Sequence, residues 1–196
     1  MPQGKQAKTI SRTQEVSILR HLETTRHPER DTAMFLLSMK AGLRAKEIAE
    51  LTWAMITDAE GQVGDVMALE NRASKGKSGR SVPMNSSLRA ALKALQGQRG
   101  DKAKAEWPVI YSERGKGLSA ASVKEWFLRL YATLGMTGCS SHSGRRTFIT
   151  RAARKVLDVG GSVRDVQQLA GHVSLAATQR YIEGSSNAKR RLVEIV

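Results

Sequence analysis

Apolar residues recur every three or four positions along most of the chain, which is the spacing of one face of an α-helix. In segment 11–23 (SRTQEVSILRHLE), Ser11 and Gln14 stand at capping-box spacing, and Val16, Leu19 and Leu22 follow at helical spacing. The same periodicity predicts further short helices, each ending near a glycine or a polar break, in segments 31–42, 44–56, 86–96, 122–135, 144–157, 162–171 and 174–183. The helix at 122–135 has a second capping pair, Ser122 and Glu125.

The pattern changes between residues 65 and 84, where two extended segments flank a turn rich in Lys, Gly and Ser. A β-hairpin is predicted here, with Lys75 and Lys77 at its tip and Pro83 at an edge or strand end, since proline cannot donate a ladder hydrogen bond. Segment 107–112 (WPVIYS) is a candidate third strand. The sequence therefore predicts a mainly α protein with a small antiparallel sheet, an α+β fold.

The charge of the chain indicates a polyanionic partner. There are 32 Lys and Arg against 18 Asp and Glu, a formal net charge of +14 with a pI near 10.4. Nucleic acid is the first candidate and an anionic membrane the second. Basic clusters are spread along the whole chain, at Lys5 and Lys8, 75–80, 99–104, 145–146 and 189–191.

Other classes are disfavoured by the same composition. No segment is apolar for long enough to span a bilayer, and the first ten residues lack the apolar stretch of a signal peptide. The single cysteine, Cys139, can form neither an internal disulfide nor a multi-cysteine metal site. We expect a cytoplasmic, nucleoid-associated protein without a membrane partner.

Several polar residues form an ordered set, although each is weak by itself. His142 and Arg145 share a face if a helix begins there, but a His-x-x-Arg pair is common by chance in a basic chain. Arg44 follows a glycine-containing break, and by itself it would more often be a helix-start arginine in a surface ion pair with Glu47. The full set in chain order is Arg44, Lys75, His142, Arg145, His172 and Tyr181.

This set resembles the functional residues of the tyrosine recombinases, the phage-integrase family, over roughly residues 11–183. Segment 41–53 (AGLRAKEIAELTW) resembles the first arginine box, and 75–84 (KGKSGRSVPM) resembles the hairpin that carries a catalytic lysine. Segment 142–148 (HSGRRTF) is similar to the His-x-x-Arg box, and 169–182 (LAGHVSLAATQRYI) to the ending with its histidine and tyrosine. Four boxes in family order are a specific signal. The resemblance implies the recombinase catalytic-domain fold.

The resemblance also implies a reaction, site-specific cutting and rejoining of double-stranded DNA through a 3′-phosphotyrosine. Tyr181 would be the nucleophile. Arg44 and Arg145 would hold the scissile phosphate, since a planar guanidinium grips phosphate bidentately and stays charged. Preorganised cations stabilise the growing charge of the transition state.

The remaining three residues would act on protons and on the phosphate. His142 would accept or relay the proton of the attacking phenol, and His172 would hydrogen-bond the phosphate. Lys75 would protonate the departing 5′ oxygen as general acid. This scheme uses no metal and no other cofactor, and the chain contains no Walker loop, HExxH or EF-hand pattern.

Some assignments have alternatives. Lys77 stands close to Lys75, although Lys75 fits the register of the Lys-Gly and Arg-x-Val-Pro pattern better. Glu47 either orients an arginine of the site or forms a plain helical ion pair. Arg146, where the family often has histidine, either contacts a backbone phosphate or faces solvent. With Lys77 and Arg80, it is predicted to bind DNA.

Residues 1–10 are predicted to be a flexible basic leader, 11–183 the catalytic domain and 184–196 a tail. We expect no N-terminal core-binding domain before the catalytic region, a short form similar to the fimbrial phase-switch recombinases. The tail either docks on a neighbouring protomer or folds back. The resemblance implies a tetramer on two DNA sites. The short form would be a minimal recombinase, a chain that depends on accessory DNA-bending proteins or a partner, or a truncated form of a longer protein.

Three other functions fit part of the pattern. A type IB topoisomerase-like enzyme would relax DNA with the same chemistry. A DNA-binding regulator derived from a recombinase would bind without cutting, although the complete set of six polar residues argues against decay. An RNA-binding module is disfavoured by an aromatic content of 5%, which offers few stacking platforms for bases.

Overall fold

The structure is a computed structural model, and it describes residues 6–70, 79–100, 103–181 and 193–194. In these ranges the elements are α1 (Arg12–Leu22), α2 (Pro28–Ala41), α3 (Ala45–Ala49), β1 (Val66–Leu69), β2 (Arg80–Pro83), α4 (Ser86–Arg99), α5 (Ala120–Thr133), α6 (Ser143–Lys155), α7 (Val163–Ala170) and α8 (Leu175–Gln179). None of these helices has the length and apolar character needed to cross a lipid bilayer. The predicted mainly α fold with a small antiparallel sheet is confirmed.

The described sheet is a single hairpin. Strands β1 and β2 pair antiparallel, with Met67 opposite Val82, and both of these side chains are buried. The hairpin tip with Lys75 and Lys77 lies outside the described residues. The predicted third strand at 107–112 is wrong: Pro108 and Tyr111 form only isolated bridges. Proline lacks the N–H that a regular ladder would need at this position.

Helix α2 is the central element of the core. Its middle is buried on every side, from Ala33 through Met39, which is the pattern of a helix enclosed by others. It packs against α4 on one side and α6 on another. Gly144 permits the close approach of α6, because a Cβ there would lie 2.3 Å from Ser38 Oγ. The core thus fixes α6, which carries the His-x-x-Arg segment.

The helix starts were predicted with mixed success. The capping box of Ser11 and Gln14 is confirmed at the start of α1, but the buried face carries Ile18, while Val16 is half exposed. The predicted cap at Ser122 is wrong. Helix α5 begins one turn earlier, and the Ser119 side chain accepts the backbone N–H of Ser122. Ser119 and Ser122 are both suitable N-cap residues, so the sequence offered two possible starts for this helix.

The described part of the predicted leader contacts the catalytic domain. Ile10 is only 2% exposed, and its N–H donates to Thr147 Oγ1 over 2.8 Å. The N–H of Lys8 donates to the carbonyl of Gly138 over 3.0 Å. Residues 7–10 are therefore part of the folded domain, because one apolar side chain and its backbone bonds hold them. Residues 1–5 and the tail, except 193–194, lie outside the described residues.

Candidate active site

A cleft of about 290 Å³ lies where the start of α6 meets the chain from α7 to α8. It is lined by Gln6, Ala7, His142, Arg145, Arg146, His172, Ala177, Arg180 and Tyr181. Four of the six residues predicted to act chemically therefore share one cleft. Arg44 is absent from its lining, and Lys75 lies outside the described residues.

Arg145 is buried, with 3% of the residue exposed. Its Nη1 donates to the carbonyl of Gly42 and its Nη2 to the carbonyl of Ala170, each over 2.6 Å. Gly42 ends α2 in a left-handed conformation, φ +65°, and Ala170 is the last residue of α7. The guanidinium therefore ties together the ends of two helices that are distant in sequence.

The environment of Arg145 disfavours its charged form. Burial first, and then the nearby positive charge of Arg44, lower the pKa of Arg145 to about 10. It remains a cation at neutral pH. A buried cation with unfavourable neighbours gains most from an anion placed against it.

A buried carboxylate joins two arginines beside this cleft. Glu47 is 0% exposed, and its Oε1 lies 3.0 Å from Arg44 Nη1 and 2.9 Å from Arg80 Nη1. Its Oε2 accepts the backbone N–H of Arg44 over 2.8 Å, at the N-terminus of α3. Glu47 thus fixes both the main chain and the side chain of Arg44.

Arg80, which the sequence analysis predicted to bind DNA, has its side chain in the interior of the domain. Its side chain is 8% exposed, and Nε donates to the carbonyl of Leu169 over 2.9 Å. The guanidinium also packs against Gly171, where a Cβ would lie 2.7 Å from Nη1. Arg80 therefore links β2 to α3 and to the turn that precedes His172.

These contacts explain the ionisation of Glu47. Burial alone would raise its pKa, but the hydrogen bond and charge of Arg80, and then those of Arg44, outweigh burial and lower the pKa. The carboxylate is accordingly an anion at neutral pH, and its charge balances part of the positive cluster.

His172 and Tyr181 lie ring against ring. Their centroids are 5.4 Å apart and the ring planes are inclined by 26°. His172 Nδ1 is 2.9 Å from Thr178 Oγ1, and the N–H of Tyr181 donates to the carbonyl of Thr178 over 2.9 Å. Thr178 is fully buried. Helix α8 thus holds both rings through one threonine.

Burial, together with the positive cluster, keeps His172 neutral. Burial first, followed by the charges of Arg145 and Arg44, lowers the pKa of His172 to about 4. A neutral imidazole has one N–H and one free lone pair. When Thr178 donates to Nδ1, the proton resides on Nε2, where it can serve as a hydrogen-bond donor.

His142 occupies the N-cap position of α6, so it and Arg145 share the first turn as the spacing predicted. Its pKa is lowered, by burial first and then by Arg145, Lys124 and Arg44. A neutral histidine can accept a proton, as a base must. Lys124, on α5, adds a positive charge near the cleft that the sequence prediction did not include.

Two further residues of the cleft were missed. Thr178 lies buried behind the cleft and contacts two of its residues, through its hydroxyl to His172 and through its carbonyl to Tyr181. Arg180 lines the cleft next to Tyr181. Arg146 contacts the leader, with Nη1 donating to the carbonyl of Ala7 over 3.1 Å.

In the described ranges, no three His, Cys, Asp or Glu side chains converge to form a metal site.

Comparison with known sequences decides the family. The sequence model described as Phage integrase family matches residues 8–187. The chain belongs to the phage integrase family. The tyrosine recombinase XerC of Rhizobium meliloti is 32% identical over 167 residues, which are 85% of this chain and 48% of that protein. The XerC of Corynebacterium efficiens is 30% identical over 165 residues, which are 84% and 49%. This phage integrase chain spans about half the length of these curated relatives.

Solved structures of the family share the fold. The Tn1549 transposon integrase, in complex with circular intermediate DNA, matches with a TM-score of 0.72 at 21% identity, over 98% of this chain and 67% of that one. The XerH site-specific recombinase, bound to difH substrate in a pre-cleavage complex, matches with a TM-score of 0.72 at 16% identity, over 100% and 56%. The predicted recombinase catalytic-domain fold is confirmed.

Proposed function

We propose that this phage integrase chain is a site-specific recombinase that cuts and rejoins double-stranded DNA through Tyr181. One observation supports this most directly: Tyr181 shares a cleft with His142, Arg145 and His172, in a family whose solved members include complexes with DNA. The three neighbours supply one buried cation and two neutral imidazoles. That combination suits attack on a phosphodiester.

In the proposed cleavage step, Tyr181 Oη forms a bond to phosphorus, and the bond from phosphorus to the 5′ oxygen breaks. The phenolic proton passes to His142. Arg145 and Arg44 bind the non-bridging oxygens, whose charge is redistributed during the attack. His172 donates Nε2–H to the same phosphate.

The 5′ oxygen is a poor leaving group as an alkoxide, so it must take up a proton as it departs. We assign that proton to Lys75, in the segment that precedes β2 in the sequence. Lys77 is the alternative donor. Arg146 is a candidate phosphate contact at the edge of the cleft, beside the leader.

Rejoining reverses these events with a different strand. The phosphotyrosine retains the energy of the broken diester, so another 5′ hydroxyl can attack phosphorus and release Tyr181. His142 then returns the proton to the phenol. The proposed sequence of steps uses no metal ion and no nucleotide cofactor.

Recombination exchanges strands between two duplexes, so we propose that four copies of this chain assemble on two DNA sites. The tail 184–196 would dock on a neighbouring protomer, and accessory DNA-bending proteins would assist the assembly. We propose a cytoplasmic, nucleoid-associated location, since the substrate is DNA.

A supercoiled plasmid that carries the target site tests the proposal in a chelating buffer. We expect the wild type to give recombined circles and covalent adducts with free 5′ hydroxyls, which a kinase labels without prior phosphatase treatment. Relaxation without recombination would favour the topoisomerase-like alternative. If the protein binds the plasmid but forms no covalent adduct, even after cell extract is added to supply accessory proteins, the DNA-binding regulator is favoured and the proposal is contradicted.

A further inference from the structure

A second basic cleft, of about 360 Å³, lies at the opposite end of α2 from the candidate active site. Arg145 bonds the carbonyl of Gly42 at the C-terminal end of α2, whereas Arg30, in its first turn, donates to the carbonyl of Tyr111 in the wall of the second cleft. A helix of 14 residues is about 20 Å long. The two clefts are therefore separate sites.

Arg99 is the central side chain of this second cleft. The residue is 9% exposed, and its Cζ lies 3.6 Å from the ring centroid of Tyr111 and 5.8 Å from that of Trp107. Stacking on Tyr111 fixes the plane of the guanidinium. Its Nε and Nη2 are buried without a hydrogen-bond partner in the described part of the chain.

These two nitrogens form one edge of the guanidinium, which is the edge that grips two oxygens of a phosphate or carboxylate in parallel. A buried cation with no paired anion is unfavourable, and native interiors rarely contain one. Among the described residues that line this cleft, the acidic one is Glu113, and it pairs with side chains outside the cleft. It lies 2.7 Å from Arg26 and 3.4 Å from His27.

We propose that the second cleft binds a phosphate group on the Nε and Nη2 edge of Arg99. Two exposed cations of the turn at 112–116, Arg114 and Lys116, stand at the mouth and would neutralise the second charge. Three cations favour a phosphate over a singly charged carboxylate. Because both nitrogens of Arg99 are covered, the cleft wall must shift as the phosphate enters.

This site goes beyond the proposed recombination, because none of its residues belongs to the candidate active site. Its phosphate can come from a free phosphate ester or from the DNA backbone. Both sources present the same chemistry to Arg99. An experiment can separate them by comparing small phosphates with duplex DNA.

Fluorine NMR of the full chain offers a readout specific to this cleft. The chain has three tryptophans, so incorporation of 5-fluorotryptophan gives three resonances, and Trp107→Phe identifies that of Trp107. Inorganic phosphate, a nucleoside monophosphate and a short duplex would each be titrated at constant ionic strength. Trp107 lines the second cleft and not the candidate active site, so its resonance distinguishes phosphate bound in the second cleft from phosphate bound in the active site.

We expect a saturable shift of the Trp107 resonance that Arg99→Gln abolishes, and that Arg129→Gln, at a side chain 77% exposed on α5, leaves unchanged. A response to the small phosphates assigns a free phosphate ester. A response to the duplex alone assigns the DNA backbone. If Arg99→Gln fails to fold, Arg114→Gln with Lys116→Gln should weaken binding about tenfold. A shift independent of all three cations, or no shift with any probe, overturns the proposal.

Discussion

Arg80 Nη1 lies 2.9 Å from Glu47 Oε1, in an ion pair buried between β2 and α3. The same carboxylate oxygen lies 3.0 Å from Arg44 Nη1. One anion therefore sets the position of an arginine proposed to bind the scissile phosphate, and connects it to β2, the second strand of the hairpin. The arrangement makes Glu47 a residue whose removal affects both folding and chemistry.

Glu47→Gln keeps the shape of the side chain but removes its charge. Two guanidiniums then face each other without an anion, so we expect the free energy of unfolding to fall by about 3 kcal/mol. We expect formation of the phosphotyrosine to slow by about 100-fold, because Arg44 is no longer oriented. Denaturant unfolding and single-turnover cleavage measure the two effects.

Glu50→Gln is the matched control for that variant. Glu50 ends the same short helix, and its carboxylate lies 3.7 Å from Lys46 in an exposed pair. Its loss should change stability by less than about 0.5 kcal/mol. Equal activity of Glu47→Gln and Glu50→Gln would refute the role of the buried pair.

Arg145→Lys tests the double hydrogen bond at the centre of the cleft. An ammonium group cannot reproduce the planar fork that joins the carbonyls of Gly42 and Ala170. We expect cleavage to slow by about 10²–10³-fold, while binding to nonspecific duplex, measured by anisotropy, changes little. Arg129→Lys, at an exposed position, should cleave like the wild type; a fully active Arg145→Lys would be incompatible with the proposed mechanism.

Gly144→Ala tests how closely α6 must approach α2. The new methyl would lie 2.3 Å from Ser38 Oγ and 2.9 Å from its Cβ, so one helix must move. We expect a loss of about 1–3 kcal/mol in the free energy of unfolding. Gly97→Ala, inside α4 with no atom within 4 Å, should instead stabilise by about 0.5–1 kcal/mol. Similar effects at the two positions would show that the predicted clash does not occur.

The depressed pKa of His172 gives a pH dependence to stability. The folded protein holds this proton only below about pH 4, whereas the ordinary pKa is 6.5. Between these values the unfolded chain binds more protons, so the free energy of unfolding falls as pH falls from about 6.5 to 4. One proton contributes at most about 1.4 kcal/mol per pH unit, and partial exposure reduces this.

Denaturant unfolding of the wild type and His172→Gln checks this expectation between pH 6.5 and 5. That window lies above the titration of carboxylates with lowered pKa, such as Glu15 and Glu47. The variant should show a smaller slope, and the slope that remains contains the contribution of His142, whose pKa is also lowered. Identical slopes in both proteins would contradict a neutral His172.

The sequence could predict the parts of the fold that depend on local pattern. The helical layout, the hairpin and the shared helical turn of His142 and Arg145 follow from residue spacing. The start of α5 does not, because Ser119 and Ser122 offer equivalent caps. The order of leader residues 7–10 depends on Thr147, which is remote in sequence and invisible to periodicity.

Long-range electrostatics was the least predictable part of the candidate site. Arg80 stands in a basic segment, which favoured a DNA contact, yet its partners are Glu47 and the carbonyl of Leu169. Local sequence cannot show that a carboxylate from another element will lie within 3 Å. The resemblance to a family supplied the set of polar residues, and the fold brought four of them into one cleft.

The most direct test of the central claim is covalent capture of DNA by Tyr181. Wild type and Tyr181→Phe would be expressed in the source cell and lysed in strong denaturant, and the DNA attached to protein would be sequenced. We predict that the wild type retains DNA from discrete loci and that Tyr181→Phe retains none. Adducts of equal yield in Tyr181→Phe, or none in a wild type that still binds DNA, would contradict Tyr181 as the nucleophile.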